Sequence, residues 1–293
     1  MWDEIAAQIS RATQQPFQIS HRRSVGGGSV NQAYAVSGVV AGLGERAYFV
    51  KLNQADRLSM FEAEALSLQQ IAASQTVRVP QPICWGLAGE GRPQSYLVLE
   101  WLELGYGDDA AWSKLGQNLA AMHRVTAPAF GWQQDNTIGF IPQRNRWTAD
   151  WSEFFLTQRL GYQFELAQQR GGHFPHRAKL LEAVPQILAD HQPLPSLVHG
   201  DLWTGNAAIT QQGEPVIFDP ALYFGDREVD LAMSQLFGSF PTSFYQAYQA
   251  AFPLSSGYEQ RQIFYNLYHI LNHFNQFGGS YEAQANRMIA ALI

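Results

Sequence analysis

The hydrophobic pattern of the first hundred residues mixes two periodicities. Apolar residues recur at helical spacing over residues 2–9 and again over 60–73, which predicts an amphipathic helix in each stretch. Other apolar runs are short and rich in β-branched and aromatic residues, as is typical of strands. Strands are predicted near 18–25 and 30–36, over 48–52 and over 95–100.

After residue 101 the pattern becomes mainly helical. Amphipathic helices are predicted near 109–124, 148–170, 176–190, 228–237, 241–252 and 258–277, and two short strands near 196–199 and 215–218. A β-rich segment followed by a long helical one is typical of an α+β protein with two lobes. We therefore predict a β-rich N-terminal lobe over 1–102, a mainly helical C-terminal lobe over 103–293, and a joint near 101–107.

Composition narrows the class of protein. The 293-residue chain is 46% hydrophobic and only 15% charged, so it can bury a large core. Its formal net charge is -6 and it has no run of Lys and Arg, so a nucleic-acid partner is not expected. No window approaches the roughly 18 apolar residues of a membrane span. The single cysteine, Cys84, and the absence of a secretory signal at the N-terminus predict a cytoplasmic protein.

The strongest chemical motif runs from Leu197 to Asn206 and reads Leu-Val-His-Gly-Asp-Leu-Trp-Thr-Gly-Asn. Asp201 and Asn206 have the Asp-x₄-Asn spacing of the protein-kinase catalytic loop, and Asp219 follows the next apolar strand. Phosphoryl transfer to a hydroxyl needs a base, which Asp201 can supply, and oxygen ligands for Mg²⁺, which Asn206 and Asp219 can supply. The alternative is an ordinary turn and a strand cap. The matching spacing between apolar strands favours the catalytic interpretation.

The N-terminal part offers features of a nucleotide site. Gly27, Gly28 and Ser29 belong to a glycine run between two predicted strands, where the backbone could approach phosphates, although such a run is also typical of a plain hairpin. Lys51 ends an apolar strand, and its ammonium group needs a partner because an unpaired buried charge is costly. Together these positions predict contacts with ATP phosphates.

The helix after this strand supplies the predicted partner of Lys51. Glu64 is preferred because Glu62 points away from the apolar face of the helix. Glu64 would hold the lysine in place against the nucleotide. Glu100 and Leu102, next to the joint between the lobes, are also predicted to bind the nucleotide.

With these motifs in this order, the sequence resembles the fructosamine kinase family, within the aminoglycoside phosphotransferase-like kinases. The resemblance covers nearly the whole chain, and the tryptophan in His-Gly-Asp-Leu-Trp is its most specific residue. It rests on residues 61–68, 78–82, 139–143, 150–155, 199–206, 219–221, 224–231, 237–241 and 272–278.

The resemblance implies a two-lobed protein-kinase-like fold, with nucleotide bound by the N-terminal lobe and catalytic and acceptor-binding residues in the C-terminal lobe. It further implies an enzyme that uses ATP and Mg²⁺ to phosphorylate the 3-hydroxyl of ketosamines, after which the adduct falls apart and the amine is restored. The acceptor would be a small ketosamine or a glycated side chain of a protein. Trp203 and His273 are the expected substrate contacts, although Trp203 could instead be a core residue.

Two other functions stay open at this point. A kinase for another small alcohol, such as an aminoglycoside or choline, would use the same catalytic residues, but residues 140–180 contain no acidic cluster suited to a polycation. A nucleotide-binding module without turnover would be expected to lack some of the polar residues that this chain retains.

Only six residues separate Asp219 from Asp226, too few for a protein-kinase activation segment, so a small acceptor is predicted. The oligomeric state is left open.

Overall fold

The computed structural model describes residues 1–26, 30–40 and 44–293. The N-terminal part contains a five-stranded antiparallel sheet with the order β1-β2-β3-β5-β4. Its elements are α1 (Trp2–Thr13), β1 (His21–Val25), β2 (Gln32–Val40), β3 (Gly44–Gln54), α2 (Leu58–Ala73), β4 (Pro82–Ala88) and β5 (Gln94–Glu100). The two predicted helices and four predicted strands all form.

Strand β4 was not predicted, because Pro80 and Pro82 interrupt the pattern of that stretch. The strand forms at the edge of the sheet, where proline, which has no N–H to donate to a neighbouring strand, is tolerated as the first residue. Between Pro82 and Cys84 the register shifts by a bulge, which absorbs the irregularity.

The C-terminal part is mainly helical, as predicted. Its helices are α3 (Asp109–Met122), α4 (Trp151–Phe154), α5 (Tyr162–Gln169), α6 (Arg177–Ile187), α7 (Glu228–Met233), α8 (Thr242–Ala251), α9 (Tyr258–Phe277) and α10 (Tyr281–Leu292). A π-helical segment, Phe155–Gly161, joins α4 to α5. The last helix, α10, was not predicted, and α7 ends at Met233 whereas the predicted helix ran to residue 237. Among the described residues, no helix has the length and apolar character needed to cross a membrane.

Short strands in this part place the residues of the kinase-like motif. They are β6 (Leu104–Gly105), β7 (Asn136–Ile138), β8 (Ile141–Gln143), β9 (Ser196–Val198), β10 (Ala207–Thr210), β11 (Pro215–Ile217) and β12 (Tyr223–Gly225). Strand β10 pairs with β11 on one side and with β6, which lies within the joint, on the other. The loop between β9 and β10 and the segment after β11 carry the motif residues.

The described residues form two apolar cores, and these do not divide at the joint. The smaller core lies between α1 and one face of the five-stranded sheet. The larger core includes α2 together with Leu97 and Leu99 of β5, and it continues through the helices of the C-terminal part. Trp132 of the C-terminal part also donates a hydrogen bond from Nε1 to Gln70 Oε1 of α2 at 2.6 Å. Helix α2 is therefore fixed to both parts, while the boundary at residue 102 stays a prediction.

Phe61 tests this shared core. Its side chain is fully buried in the larger cluster, so Phe61→Ala should lower the free energy of unfolding by about 3–5 kcal/mol. The loss should affect unfolding of both parts, measured by denaturant titration with tryptophan fluorescence and circular dichroism. The control is Glu62→Ala, on the exposed side of the same helix. A separate early transition confined to the sheet would contradict the shared core.

Candidate active site

The backbone of the His-Gly-Asp loop accepts only glycine at its centre. Gly200, just after β9, has a φ of 82°, in the region that side chains disfavour. A Cβ added there would lie 2.2 Å from the carbonyl oxygen of Ala221. The Ala221 N–H also donates to the His199 carbonyl at 2.9 Å. The loop is thus held directly against the segment that follows Asp219.

Asp230 of α7 braces the same loop from below. Its buried carboxylate accepts the backbone N–H of His199 at 2.7 Å and that of Gly200 at 2.8 Å. The His123 ring lies 3.1 Å from the same carboxylate through Nε2. Burial alone would raise the pKa of Asp230, but the bonds from His123 and His199 outweigh it and lower that pKa. Asp230 is therefore a charged, structural partner of the loop.

His199 links the loop to the strand before Asp219. Its Nε2–H donates to the Phe218 carbonyl at 2.9 Å, and its Nδ1 accepts the Asp201 N–H at 3.2 Å, which assigns a single neutral tautomer. Burial lowers the pKa of His199, so the ring stays neutral near pH 7. The contacts are those of a structural histidine.

Asp201 and Asn206 lie side by side. Asn206 Nδ2 donates to the Asp201 carbonyl at 2.9 Å and to its carboxylate Oδ2 at 3.3 Å. Because Nδ2 is engaged, Oδ1 is the atom of Asn206 that can serve a cation. Burial, with the nearby Asp219 and Asp230 carboxylates, raises the pKa of Asp201 to about 7, although Asn206 opposes the shift. A carboxyl group with such a pKa suits proton transfer near neutral pH.

Lys51 of β3 joins the two parts of the molecule. Its ammonium group is buried and lies 2.6 Å from Glu64 and 2.5 Å from Asp219. Burial disfavours its charge, but Asp219 and Glu64 more than compensate, so the pKa of Lys51 is raised and the group stays charged. Glu64 rather than Glu62 faces the lysine, in agreement with the helix pattern.

Asp219 itself has an uncommon backbone. Its φ is 58°, in the left-handed region, although it is not a glycine. Its side chain is 46% exposed while one oxygen binds Lys51, so the carboxylate also faces the cleft. Asp219 thus stands between the buried lysine and the open side of the site.

The structure says less about the other residues that were predicted to contact the nucleotide. Gly27, Gly28 and Ser29 lie outside the described residues. The Glu100 carboxylate binds Arg78 at 2.6 Å, so a nucleotide contact by Glu100 would use its main chain. Leu102 is half-buried in the joint between β5 and β6.

Trp203 and His273, the two residues predicted to contact the substrate, both lie against one phenylalanine. The Phe237 ring lies 6.4 Å from the Trp203 ring and 4.7 Å from the His273 ring, between centroids. The Trp203 indole can take this position only because residue 205 is a glycine, since a Cβ there would lie 2.3 Å from the indole. We call Trp203, Phe237 and His273 the aromatic wall. Periodicity gives no sign of Phe237 as a site residue; only its place in a family-like segment points to it.

The His273 ring offers a hydrogen-bond acceptor. Its Nδ1 lies 2.8 Å from the His269 carbonyl and must donate to it, so in the neutral ring Nε2 carries the lone pair. Burial lowers the pKa of His273, which favours that neutral form. Nε2 can therefore accept a hydrogen bond from a hydroxyl group.

Asp226 lies outside this site. Its carboxylate accepts the Glu228 N–H at 3.1 Å and the Tyr265 hydroxyl at 2.5 Å, and it lies 2.6 Å from His191. Glu228, nearby, is bonded by Arg261 through two nitrogens. These carboxylates are already satisfied, so the cluster braces α7 against α9.

The comparisons with known proteins agree with this geometry. A family model described as fructosamine kinase matches residues 1–293. The chain belongs to the fructosamine kinase family. It is 57% identical over 289 residues to a probable ketoamine kinase of Synechocystis, covering 98% of this chain and 95% of that protein. It is 41% identical over 277 residues to the chloroplastic protein-ribulosamine 3-kinase of Arabidopsis thaliana, covering 93% of this chain and 82% of that protein.

Solved structures confirm the two-lobed kinase-like fold of this family member. A candidate fructosamine-3-kinase from Haemophilus somnus has a TM-score of 0.90 at 29% identity, covering 100% of this chain and 98% of the other. An aminoglycoside phosphotransferase in a ternary complex with ADP and hygromycin B has a TM-score of 0.66 at 15% identity, covering 100% and 97%. At that identity the second likeness concerns the fold alone.

Removing the charge of Asp230 should loosen the catalytic loop. In Asp230→Asn one amide oxygen replaces two carboxylate oxygens, so one of the two backbone N–H groups loses its acceptor inside the protein. We expect the free energy of unfolding to fall by about 2–3 kcal/mol and turnover to fall with it. Denaturant unfolding and steady-state assays measure both, with Asp190→Asn, an exposed aspartate, as the control. Unchanged stability and turnover would show that Asp230 is not the brace.

Proposed function

We propose that this protein is an ATP- and Mg²⁺-dependent kinase that phosphorylates the 3-hydroxyl of ketosamines, the sugar adducts of amines. The observation that carries the proposal is the pairing of Asp201 with Asn206 on one loop, close to the Asp219 carboxylate that binds Lys51. We assign Asn206, Lys51 and Asp219 to the nucleotide side of the site. We assign the aromatic wall, which begins two residues after the base, to the acceptor side. The names of the relatives support the same acceptor class.

The nucleotide side has the donors that a magnesium–triphosphate needs. Asn206 Oδ1 and the cleft-facing carboxylate of Asp219 are hard oxygen ligands, which Mg²⁺ prefers. Lys51 is a fixed cation suited to the α- and β-phosphates, and Glu64 holds it in place. Gly27, Gly28, Ser29, Glu100 and Leu102 complete the proposed nucleotide contacts. When bound there, ATP would supply the phosphoryl group and Mg²⁺ would neutralise the negative charge of the phosphates.

On the acceptor side, Asp201 takes the proton of the attacking hydroxyl. The indole of Trp203 offers a flat apolar face to the sugar. His273 Nε2 accepts a hydrogen bond from a second hydroxyl of the ketosamine. This contact orients the substrate and does not act on the base, Asp201. A phosphate on the carbon next to the ketone is a good leaving group. Loss of a proton from C1 and of inorganic phosphate from C3 converts the adduct into an imine, and hydrolysis of that imine by water frees the amine and leaves a dicarbonyl sugar.

The acceptor class is tested by a panel assay. ADP release is measured with Mg²⁺-ATP and fructosyl-lysine, ribulosyl-lysine, erythrulosyl-lysine, kanamycin, choline or no acceptor. We expect turnover with ketosamines alone. Asp201→Asn should lower kcat by about 100-fold or more while ADP binding stays close to the wild type, because a base is lost and not a phosphate ligand. Turnover confined to kanamycin or choline, or an active Asp201→Asn enzyme, would contradict the proposal.

The raised pKa of Asp201 predicts a pH dependence. A base acts only when deprotonated, so a pKa of about 7 means that kcat/KM for ATP should rise through about pH 7 and level off above it. A bound cation favours the carboxylate, so the inflection in kcat should lie at lower pH. Burial also raises the pKa of Glu64 to about 7. Carboxyl ¹³C resonances of the free protein identify the group, since the aspartate resonance that titrates near pH 7 should be absent from Asp201→Asn, whereas the Glu64 resonance should remain. A profile without inflection between about pH 5.5 and pH 8 would contradict the assignment.

A further inference from the structure

Arg78 lies in the connection between α2 and β4, and the proposed reaction gives it no role, although Glu100, which it bonds, is one of the proposed nucleotide contacts. Its guanidinium bonds two carboxylates at once: Nη2 lies 2.6 Å from Glu100 and Nη1 lies 2.9 Å from Glu214. Glu100 ends β5 at the joint between the lobes, and Glu214 lies in the turn between β10 and β11. One side chain therefore bridges the entrance of the joint and the hairpin of the C-terminal part.

The main chain of the same residue makes a second bridge. The Arg78 carbonyl accepts the Ile217 N–H at 3.0 Å, and Arg78 pairs with Val216 as an isolated parallel bridge. Ile217 ends β11, two residues before Asp219. The backbone of Arg78 is thus attached to the strand that carries the proposed metal ligand.

Gln81, three residues later, closes the bridge to the joint. The Glu100 N–H donates to the Gln81 carbonyl at 2.8 Å, and the Gln81 N–H donates to the Glu100 carboxylate at 3.3 Å. The stretch from Arg78 to Gln81 therefore connects the joint to β11. We call Arg78, Glu100 and Glu214 the clasp.

The charges of the clasp make arginine the residue on which it depends. A guanidinium is a planar fork that can bond two carboxylates in fixed directions, whereas a lysine ammonium is a single point charge. Without the arginine, Glu100 and Glu214 would face each other without a cation between them. The three side chains are 31–43% exposed, so the interaction is partly screened by water and salt.

We propose that Arg78 is a positioning residue that holds the two lobes in the orientation in which Lys51 meets Asp219, so that the nucleotide site is formed before ATP binds. The inference rests on the proposed function only in taking the Lys51–Asp219 cleft as the nucleotide site. A clasp present before and after binding removes the free-energy cost of aligning the lobes, which otherwise reduces apparent affinity. Once nucleotide is saturating, the bound ligand itself holds the lobes. Loss of the clasp then acts on KM for ATP and on ADP affinity, and leaves kcat and KM for the acceptor largely unchanged.

The test compares Arg78→Met, Arg78→Lys and Glu214→Arg with the wild type. Mg²⁺-ADP binding is measured by calorimetry, and KM for ATP, KM for the acceptor and kcat by steady-state assay. Arg78→Met should weaken ADP binding and raise KM for ATP by about fivefold, since two partly exposed ion pairs are lost. Arg78→Lys should restore part of the loss. Glu214→Arg, which places a like charge against Arg78 at an exposed turn, should raise KM for ATP by a similar factor.

Arg92→Met, which removes an exposed arginine from the turn before β5, is the matched control and should leave every constant unchanged. ADP affinity within about twofold of the wild type in folded Arg78→Met would overturn the proposal. So would equal losses in kcat and in both KM values, because those indicate general damage. If Arg78→Met does not fold, Glu214→Arg decides in the same way. Because ADP binding needs no acceptor, the clasp can fail or stand whether or not ketosamines are the substrates.

Discussion

The buried ammonium group of Lys51 is the contact on which the rest of the cleft depends. It is bonded to Glu64 and Asp219, so one cation joins β3, α2 and the segment that follows β11. A charge removed from water is tolerated only when it is paired and well bonded. The sheet, the helix and the C-terminal hairpin must therefore meet at one point, and this places the proposed phosphate-binding and metal-binding groups together before any ligand is present.

The catalytic loop is held by backbone constraints of a different kind. Gly200 lets the loop lie against the Ala221 carbonyl. The Asp230 carboxylate accepts hydrogen bonds from the backbone N–H groups of His199 and Gly200 in this tight turn. His199 contributes its ring to the Phe218 carbonyl and to the Asp201 N–H. Asp201 thus sits on a loop that is bonded on three sides, which is how a base keeps its orientation without contacts of its own to a rigid element.

Helix α2 has less freedom than the corresponding helix of a switched kinase would need. Its apolar face belongs to the core of the C-terminal part, Gln70 is bonded to Trp132, and the connection after it is attached to β11 and to the joint. The Lys51–Glu64 pair is therefore formed without a phosphorylated segment to order it. This agrees with the short stretch between Asp219 and Asp226 and with a small acceptor.

Local sequence determined much of the fold and part of the site. Helical periodicity placed α2 and showed which glutamate faces Lys51, and the spacing of Asp201 and Asn206 put both on one loop. These predictions succeeded because each one concerns residues a few positions apart, whose relative geometry follows from the backbone of one element. The edge strand β4 was missed since its prolines obscure a pattern that only its place in the sheet explains.

Contacts between distant residues were decided by the tertiary structure alone. The Lys51–Asp219 bond spans 168 positions, and neither the approach of Phe237 to Trp203 and His273 nor the clasp around Arg78 leaves a periodic trace in the chain. Periodicity tells which side of an element is buried, but not what covers it. Glu100 shows the difference. Its position at the joint could be read from the sequence, whereas the direction of its carboxylate, toward Arg78, depended on how distant parts of the chain pack.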